Sequence, residues 1–425
     1  PEWAHTAPAE RGARVARAAA RVLAAADELA ELTTREMGKP LADARGGVEA
    51  GAGTLAQYAE LGPLHRGRSL AGSWDATDLM VFEPRGVVAV LTPWNDPVAV
   101  PCGLLGAALV TGNSVVFKPS ERSPHTGVLL ARLLAEELPP GVLNVVCGDA
   151  ETGAALAADP DVALIAHVGS TAAGRAIAAA AAVTGAKVLL ENGGKDPLLV
   201  DAGVDPGWAA DQAALGAFAN AGQICTSVER IYVHSSLAEP FVAALVERAR
   251  GLRQGSGLDP ATALGPLVDS RARDAVHAHV EQAVAQGARV LCGGQPGPGP
   301  GAFYPATVLV DCTNDMAVMR EETFGPVAPV RVVGSFEEGL RAAGAGSGYG
   351  LAATVLTADL AHAQQAWREL PAGTVKVNAV FGGAPGGAAE PRGASGSGFG
   401  YGPELLDEMT TTKVVHLTVA PTPAD

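Results

Sequence analysis

Val162-Ala163-Leu164-Ile165-Ala166-His167-Val168-Gly169-Ser170-Thr171-Ala172-Ala173-Gly174-Arg175 decides the architecture. The apolar run with branched side chains reads as a buried strand over 162–168. A glycine turn then opens an alanine-rich helix over 171–183, and a second apolar run, 186–191, follows. Strand, helix, strand at this spacing is the unit of a parallel sheet. The helix N-terminus after Gly169-Ser170 offers free N–H donors and a positive dipole end, which suit a phosphate. The glycine-x4-glycine spacing departs from the standard dinucleotide fingerprint. Alone it is a weak signal, because such turns usually only reverse the chain.

The same alternation extends in both directions. Strands are expected at 86–92, 114–118 and 143–147, and helices at 97–110, 124–137 and 150–158. This predicts an α/β fold, a parallel sheet with helices on both faces. Residues 97–117 carry no charge and are long enough to span a bilayer. Pro101, Gly103 and Gly106 interrupt them, and Thr111-Gly112-Asn113-Ser114 reads as a turn. A buried helix followed by a buried strand is the better reading. Upstream, helical patterns fill 9–60. The series Arg11, Arg14, Arg17, Arg21 mimics a transit peptide, but Asp27, Glu28, Glu31 and Glu36 follow. Val15, Val22, Leu29 and Leu32 recur at helical spacing, so an amphipathic helix is preferred. Residues 66–84 read as a hairpin with Gly72, Ser73 and Asp75 near its tip.

Downstream, a second α/β series is expected. It comprises helix 207–220, strand 229–234, helices 238–252 and 270–286, and strands 288–292, 304–311 and 326–333. Strand 351–356, helix 359–370 and strand 373–378 close it. Residues 293–301 and the glycine-rich 382–402 read as loops. The last strand, 412–419, stands alone and needs an edge to pair with, on another subunit.

Open α/β sheets bind ligands at the carboxyl ends of their strands, and polar residues gather there. Thr92-Pro93-Trp94-Asn95 follows one strand, and the Asn95 amide can donate to an oxyanion. Lys118-Pro119-Ser120-Glu121 follows another. Lys118 can hold a hydroxyl or phosphate, and Glu121 can take two ribose hydroxyls. Glu191 ends a third strand, before Asn192-Gly193-Gly194-Lys195. Cys225 lies 34 residues beyond Glu191 (225 − 191), in Gly222-Gln223-Ile224-Cys225. A thiol nucleophile needs a base to ionise it or to activate water later. Glu321-Glu322-Thr323-Phe324-Gly325-Pro326 precedes a strand. Glu322 can bind ribose hydroxyls, and Phe324 can pack against a nicotinamide ring. Each residue taken singly has a bland counterpart: a turn asparagine, a solvated acid, a packed cysteine.

The chain's 425 residues imply two or three domains. Apolar residues make up 48% and charged residues 18%, which excludes wholesale disorder. Thirty basic against 45 acidic residues give a net charge of −15. That disfavours nucleic acid and anionic membranes as partners. The five cysteines are scattered without a Cys-x-x-Cys pair, so neither zinc nor a disulfide framework is expected, and the compartment is cytoplasmic. Cys102 and Cys147 read as packing residues, while Cys292 and Cys312 end strands. His277 and His279, two apart on a helix, face away from each other, and no metal site is expected.

Six ordered motifs together resemble the aldehyde dehydrogenase superfamily. They are Thr92 to Asn95, Lys118 to Glu121, Gly169-Ser170 through Arg175, Glu191 with Gly193 to Lys195, Gly222 to Cys225, and Glu322 to Pro326. The likeness runs from Pro1 to about Thr418. It implies a Rossmann-type cofactor domain (1–65 and 85–192), a catalytic domain (193–400) and an oligomerisation element (66–84 and 411–425). It implies oxidation of an aldehyde to an acid, with Cys225 as nucleophile, Asn95 as oxyanion donor and Glu191 as base. Thr92, Trp94, Lys118, Ser120, Glu121, Gly148, Gly169, Ser170, Gly193, Glu322 and Phe324 are placed along the cofactor. Glu121 would repel a 2′-phosphate, so NAD is favoured, with NADP as the alternative. A homodimer or homotetramer acting on a small aldehyde is implied.

Departures from the family pattern are visible. The chain is shorter than most members and begins inside the family's N-terminal region, so a segment flanking the cofactor domain is expected to be absent. Asp96 follows Asn95 where an aromatic residue is common; it reads as a cap on the next helix, or as an acid near the substrate tunnel. Leu104 stands in place of a lysine, His167-Val168 in place of Phe-Thr, and Asn192 in place of leucine. Two other functions stay open: a CoA-acylating semialdehyde dehydrogenase, which Glu191 argues against, and a degenerate nucleotide-binding scaffold.

Overall fold

The computed structural model describes residues 2–382 and 387–420. Part of the glycine-rich stretch read as a loop, 383–386, and the terminal 421–425 lie outside the described residues.

Branched apolar runs form the first sheet. Val87–Leu91, Ser114–Lys118, Leu143–Val145, Val162–Val168 and Lys187–Glu191 pair in parallel. In space the order is Lys187–Glu191, Val162–Val168, Val87–Leu91, Ser114–Lys118, Leu143–Val145. The short strand Gly396–Ser397 adds antiparallel beyond Lys187–Glu191. Strand order reverses between Val87–Leu91 and Val162–Val168. Connections leave that point in opposite directions, which opens a crevice at the carboxyl ends. Leu91 pairs with both Lys118 and His167, and Val168 pairs with Glu191. The loops starting at Thr92, Pro119, Gly169 and Asn192 therefore leave the sheet level with one another.

The uncharged stretch forms helix Ala99–Val110, which is buried nearly throughout and packs on Leu41–Leu61. Leu55 and Tyr58 meet Leu105 and Leu109 in that core. Among the described residues, no helix is long and apolar enough to cross a membrane. The N-terminal helical region is three long helices, Pro8–Ala24, Ala26–Met37 and Leu41–Leu61, after a first turn at Glu2–His5. Gly38, at φ 86°, ends the helix Ala26–Met37 in the left-handed conformation that favours glycine.

The second sheet has seven strands, in the order Arg289–Cys292, Thr307–Val310, Val327–Val333, Val228–His234, Asp196–Val200, Ala352–Leu356, Thr374–Val377. All pairs are parallel except the first. Asp196–Val200, near the middle, is absent from the sequence reading. Proline in a central strand normally argues against a strand. Here the ladder slips between Asp196 and Pro197, so the missing N–H falls at an irregularity. Helix Phe336–Gly344 also escaped the reading, although Ser335 and Glu338 have N-cap spacing, and the Ser335 hydroxyl accepts from Glu338 N at 3.2 Å.

Two further readings need correction. The terminal strand does not stand alone. Thr410–Thr418 pairs antiparallel with Ala76–Pro84 of its own chain along its whole length, from Thr410 opposite Pro84 to Thr418 opposite Ala76. With Arg68–Leu70 they make a three-stranded sheet. Pairing across more than 300 residues leaves no local signal in the strand itself, and only the family resemblance groups the two segments. Cys147 is not a packing residue: the strand stops at Val145, and the thiol is exposed.

Candidate active site

Cys225 lies between helix Pro206–Phe218 and strand Val228–His234. The helix ends in three consecutive left-handed residues, Asn220 (φ 49°), Ala221 (φ 55°) and Gly222 (φ 72°). Two of them carry side chains, and each such residue stores strain of order 1–3 kcal/mol. A local network holds the turn in place. The Asn220 amide donates to the Gln223 carbonyl at 3.2 Å, and the Gln223 amide donates back to the Asn220 carbonyl at 3.0 Å. The Ser227 hydroxyl donates to the Gly222 carbonyl at 3.1 Å. Gly222 is required on a second ground: a Cβ there would lie 2.1 Å from the Gly325 carbonyl oxygen. The nucleophile loop and the Glu322–Pro326 loop thus touch backbone to backbone.

Asn95 is buried, and its side-chain amide donates to the Gln223 carbonyl at 3.0 Å. One N–H anchors it to the nucleophile loop, which leaves the second N–H for a reacting oxygen. Cys225 is partly buried. Loss of solvation, with Glu191, Asp196 and Glu322 nearby, pushes its thiol up to about 12. At neutral pH the resting sulfur is protonated. Desolvation also pushes the Glu191 carboxyl up to about 7. Glu191 ends its strand, and its side chain lies against Gly400, where a Cβ would come within 2.1 Å of the carboxyl carbon.

Glu322 enters from the loop before strand Val327–Val333. Its Oε1 accepts from Gly194 N at 3.1 Å. A Cβ on Gly193 would sit 2.3 Å from that oxygen, so glycine is needed there. Burial first, and then Glu229, push Glu322 up to about 7. Phe324 has φ 51° and packs edge-on against Trp94, with centroids 5.5 Å apart. The Arg122 guanidinium covers Trp94 at 5.6 Å and pairs with Asp269 at 3.4 Å.

A cavity of about 260 Å³ brings many of the expected residues together. Asn95, Glu191 and Cys225 line it; so do Trp94, Gly169, Ser170, Gly193, Glu322 and Phe324. Thr92, Lys118, Ser120, Glu121 and Gly148 do not line it, and lie farther along the same sheet edge. Lys118 is buried, donates to the Pro119 carbonyl at 3.1 Å and stands 3.8 Å from Glu121. Ser120 accepts from Arg122 N at 3.2 Å, and the buried Thr92 hydroxyl has no partner among the described residues. The Ser170 hydroxyl accepts from Ala173 N at 3.3 Å and caps helix Thr171–Thr184. Gly148 turns tightly onto Thr152.

Asp96 neither caps a helix nor lines this cavity. Helix Ala99–Val110 has no side-chain cap, and the Asp96 carboxylate lies 3.5 Å from Lys39 on the N-terminal helical layer. Sequence reasoning missed Asn220 and Arg122, and left Gln223 without a role. Asn220 had one usable signal: asparagine directly before Ala-Gly at a helix end favours left-handed backbone. Arg122 had none.

A family model described as the aldehyde dehydrogenase family matches residues 1–415. A betaine aldehyde dehydrogenase of Cereibacter sphaeroides is 38% identical over 432 residues, covering 99% of this chain and 87% of that protein. The crystal structure of an NAD-dependent aldehyde dehydrogenase from Sinorhizobium meliloti matches at TM-score 0.95 and 34% identity, covering 99% of this chain and 84% of that one. A betaine aldehyde dehydrogenase from Staphylococcus aureus, solved in complex with NAD+, matches at TM-score 0.95 and 30% identity, covering 99% and 85% respectively.

Proposed function

We propose, from the premise that this chain belongs to the aldehyde dehydrogenase family, that it oxidises a small aldehyde to a carboxylic acid through a covalent bond to Cys225. Aldehyde dehydrogenase chemistry and an NAD(P) cofactor come with the membership; the proposal is the assignment of steps to residues. One observation carries it: Cys225, Asn95 and Glu191 share a cavity with Glu322 and Phe324.

The residues fit a dinucleotide. Glycine at 169 and 193 lets the His167 ring and the Glu322 carboxylate pack against the loop backbone, where a Cβ would lie 2.7 and 2.3 Å from them, and the buried Thr92 hydroxyl has no partner among the described residues. Helix Thr171–Thr184 starts at the sheet edge, where its free N–H groups suit a pyrophosphate. Lys118 and Glu121 would hold one ribose, Glu322 the other, and Phe324 would face the nicotinamide. When bound, the nicotinamide supplies the hydride acceptor.

The chain's own residues do the rest. The Cys225 thiol gives its proton to water as the sulfur bonds the aldehyde carbon; the C=O π bond breaks and its oxygen becomes an oxyanion. The free Asn95 N–H and the Cys225 backbone N–H hold that oxygen. After oxidation the carbon is a thioester on Cys225. Glu191 takes a proton from water, which attacks the thioester and releases the acid. An oxyanion donor is worth about 10²–10³ in rate. Asn95→Ala should lower kcat/KM for an aldehyde by about that factor, while NAD affinity stays unchanged. Steady-state NADH formation and NAD titration check this, and a loss below tenfold would remove Asn95 from the role.

NAD rather than NADP follows from Glu121, a carboxylate that a 2′-phosphate would meet. Tighter binding of NADP in a side-by-side titration would overturn that preference. We read the five parallel strands of the first sheet as the cofactor half (1–65 and 85–192) and the seven-stranded sheet as the catalytic half (193–400), which lends the short strand Gly396–Ser397 to the first sheet. The free edge of Thr410–Thr418 supports self-association into a homodimer or homotetramer, which light scattering tests. A thiol nucleophile and scattered unpaired cysteines support a reducing, cytoplasmic compartment.

A further inference from the structure

We propose that the buried Lys195–Glu229 pair positions Glu322 for the cofactor, by clamping the loop that carries it and balancing its charge. This rests on the reading of Glu322 as a ribose ligand.

The pair is closed off from solvent. Side-chain exposure is 0% for Lys195 and 4% for Glu229, and the Lys195 ammonium lies 2.7 Å from Glu229 Oε2. Lys195 immediately precedes strand Asp196–Val200, and Glu229 belongs to the adjacent strand Val228–His234. Both reach the loop. Glu229 Oε2 accepts from Thr323 N at 2.8 Å, and Oε1 accepts from Phe324 N at 2.8 Å. Lys195 donates to the Thr323 hydroxyl at 3.1 Å. Gly194, next to Lys195, donates its N–H to Glu322 at 3.1 Å. Two neighbouring strands thus grip three consecutive residues, the last in the left-handed conformation.

A purely structural account fits less well. Buried ion pairs add little net stability over apolar residues of the same volume. An apolar pair, however, could not accept two backbone N–H groups from a strained loop. The carboxylate of Glu229 is there to receive them, and the ammonium of Lys195 makes that carboxylate tolerable.

Charge is the second half of the argument. The groups facing Glu322 are Glu229, Lys195 and the Gly194 N–H on one side, Cys225 of the nucleophile loop, and Tyr349 from strand Tyr349–Gly350. His279, from helix Ser270–Ala285, touches the loop at the Thr323 hydroxyl (3.2 Å) and lies 3.9 Å from Glu321. Glu229 disfavours the ionised form of Glu322, whereas Lys195 favours it. Ribose hydroxyls donate to the ionised form, so NAD binding should strengthen as pH rises through about 7.

Isothermal titration of the purified full chain with NAD, from pH 5.5 to 8.5, tests this without turnover. Glu229→Gln removes a like charge, so binding should set in at lower pH than in the wild type. Lys195→Met removes the counter-charge, so binding should set in at higher pH, with Kd at pH 7 raised about fivefold for a rise of about one pH unit in a group near 7. Opposite displacements support the clamp; displacements in the same direction, or none, overturn it. Should Lys195→Met fail to fold, Lys195→Arg takes its place and should keep the wild-type midpoint while Glu229→Gln still moves it downward. An unmoved Glu229→Gln midpoint overturns the proposal in that case. A wild type that binds no NAD at any pH overturns the ribose assignment itself, and the clamp with it; wild-type binding with unmoved variants overturns the clamp alone.

Discussion

Cys225→Ala is expected to bring aldehyde-dependent NADH formation to background, a loss on the order of 10⁴-fold or more. Alanine removes the atom that bonds the carbonyl carbon, and Asn95 then has no oxyanion to hold. The fold should survive. The turn before the cysteine is held by Asn220, Gln223 and Ser227, none of which bonds the sulfur. The thiol is also only partly buried, so truncation opens little cavity. NAD affinity within threefold of wild type would confirm an intact site. A variant that binds NAD and still turns over aldehyde would remove the sulfur from the chemistry.

Glu191→Gln should separate two steps. Hydride loss precedes the step in which Glu191 works, so a first turnover should still yield about one NADH per site. The steady state should then fall by about 10²–10⁴-fold, the usual worth of a general base. The wild-type pH profile supplies a second check. Desolvation raises Glu191 to about 7, so the carboxyl is neutral below that pH and serves as a base only above it. With NAD saturating at every pH, so that Glu322 does not limit the rate, the wild-type steady state should climb through about pH 7 and Glu191→Gln should lack that limb. A burst that shrinks in parallel with the steady state would place Glu191 before thioester formation instead.

Much of this arrangement is legible in the chain alone, for a local reason. Val87 to Leu91, Val162 to Val168 and Lys187 to Glu191 are short apolar runs with proline, glycine or asparagine within the next two residues, and each loop starts where its strand stops. Motifs at strand ends thus inherit a common edge from the parallel sheet. Pairings between distant segments are a different matter. Nothing near Thr410 announces Ala76–Pro84, and nothing near Glu229 announces the amides of Thr323 and Phe324. Asp96 shows the limit of local reasoning: its place before a helix invites a capping role, yet Lys39, 57 residues upstream (96 − 39), claims the carboxylate. Asp196–Val200 was hidden by its own proline, which is harmless only because the ladder slips at that residue.

The backbone contact between Gly222 and Gly325 has a practical consequence for redesign. The segment that carries the sulfur fits against the segment that carries Glu322 with no spare room for a methyl group on Gly222, while a methyl group on Gly325 would strike Val276 of helix Ser270–Ala285. Transplanting one of them from another dehydrogenase would import a clash unless its mate travelled with it. Chimeras that aim at new aldehydes should exchange the two as a single cassette.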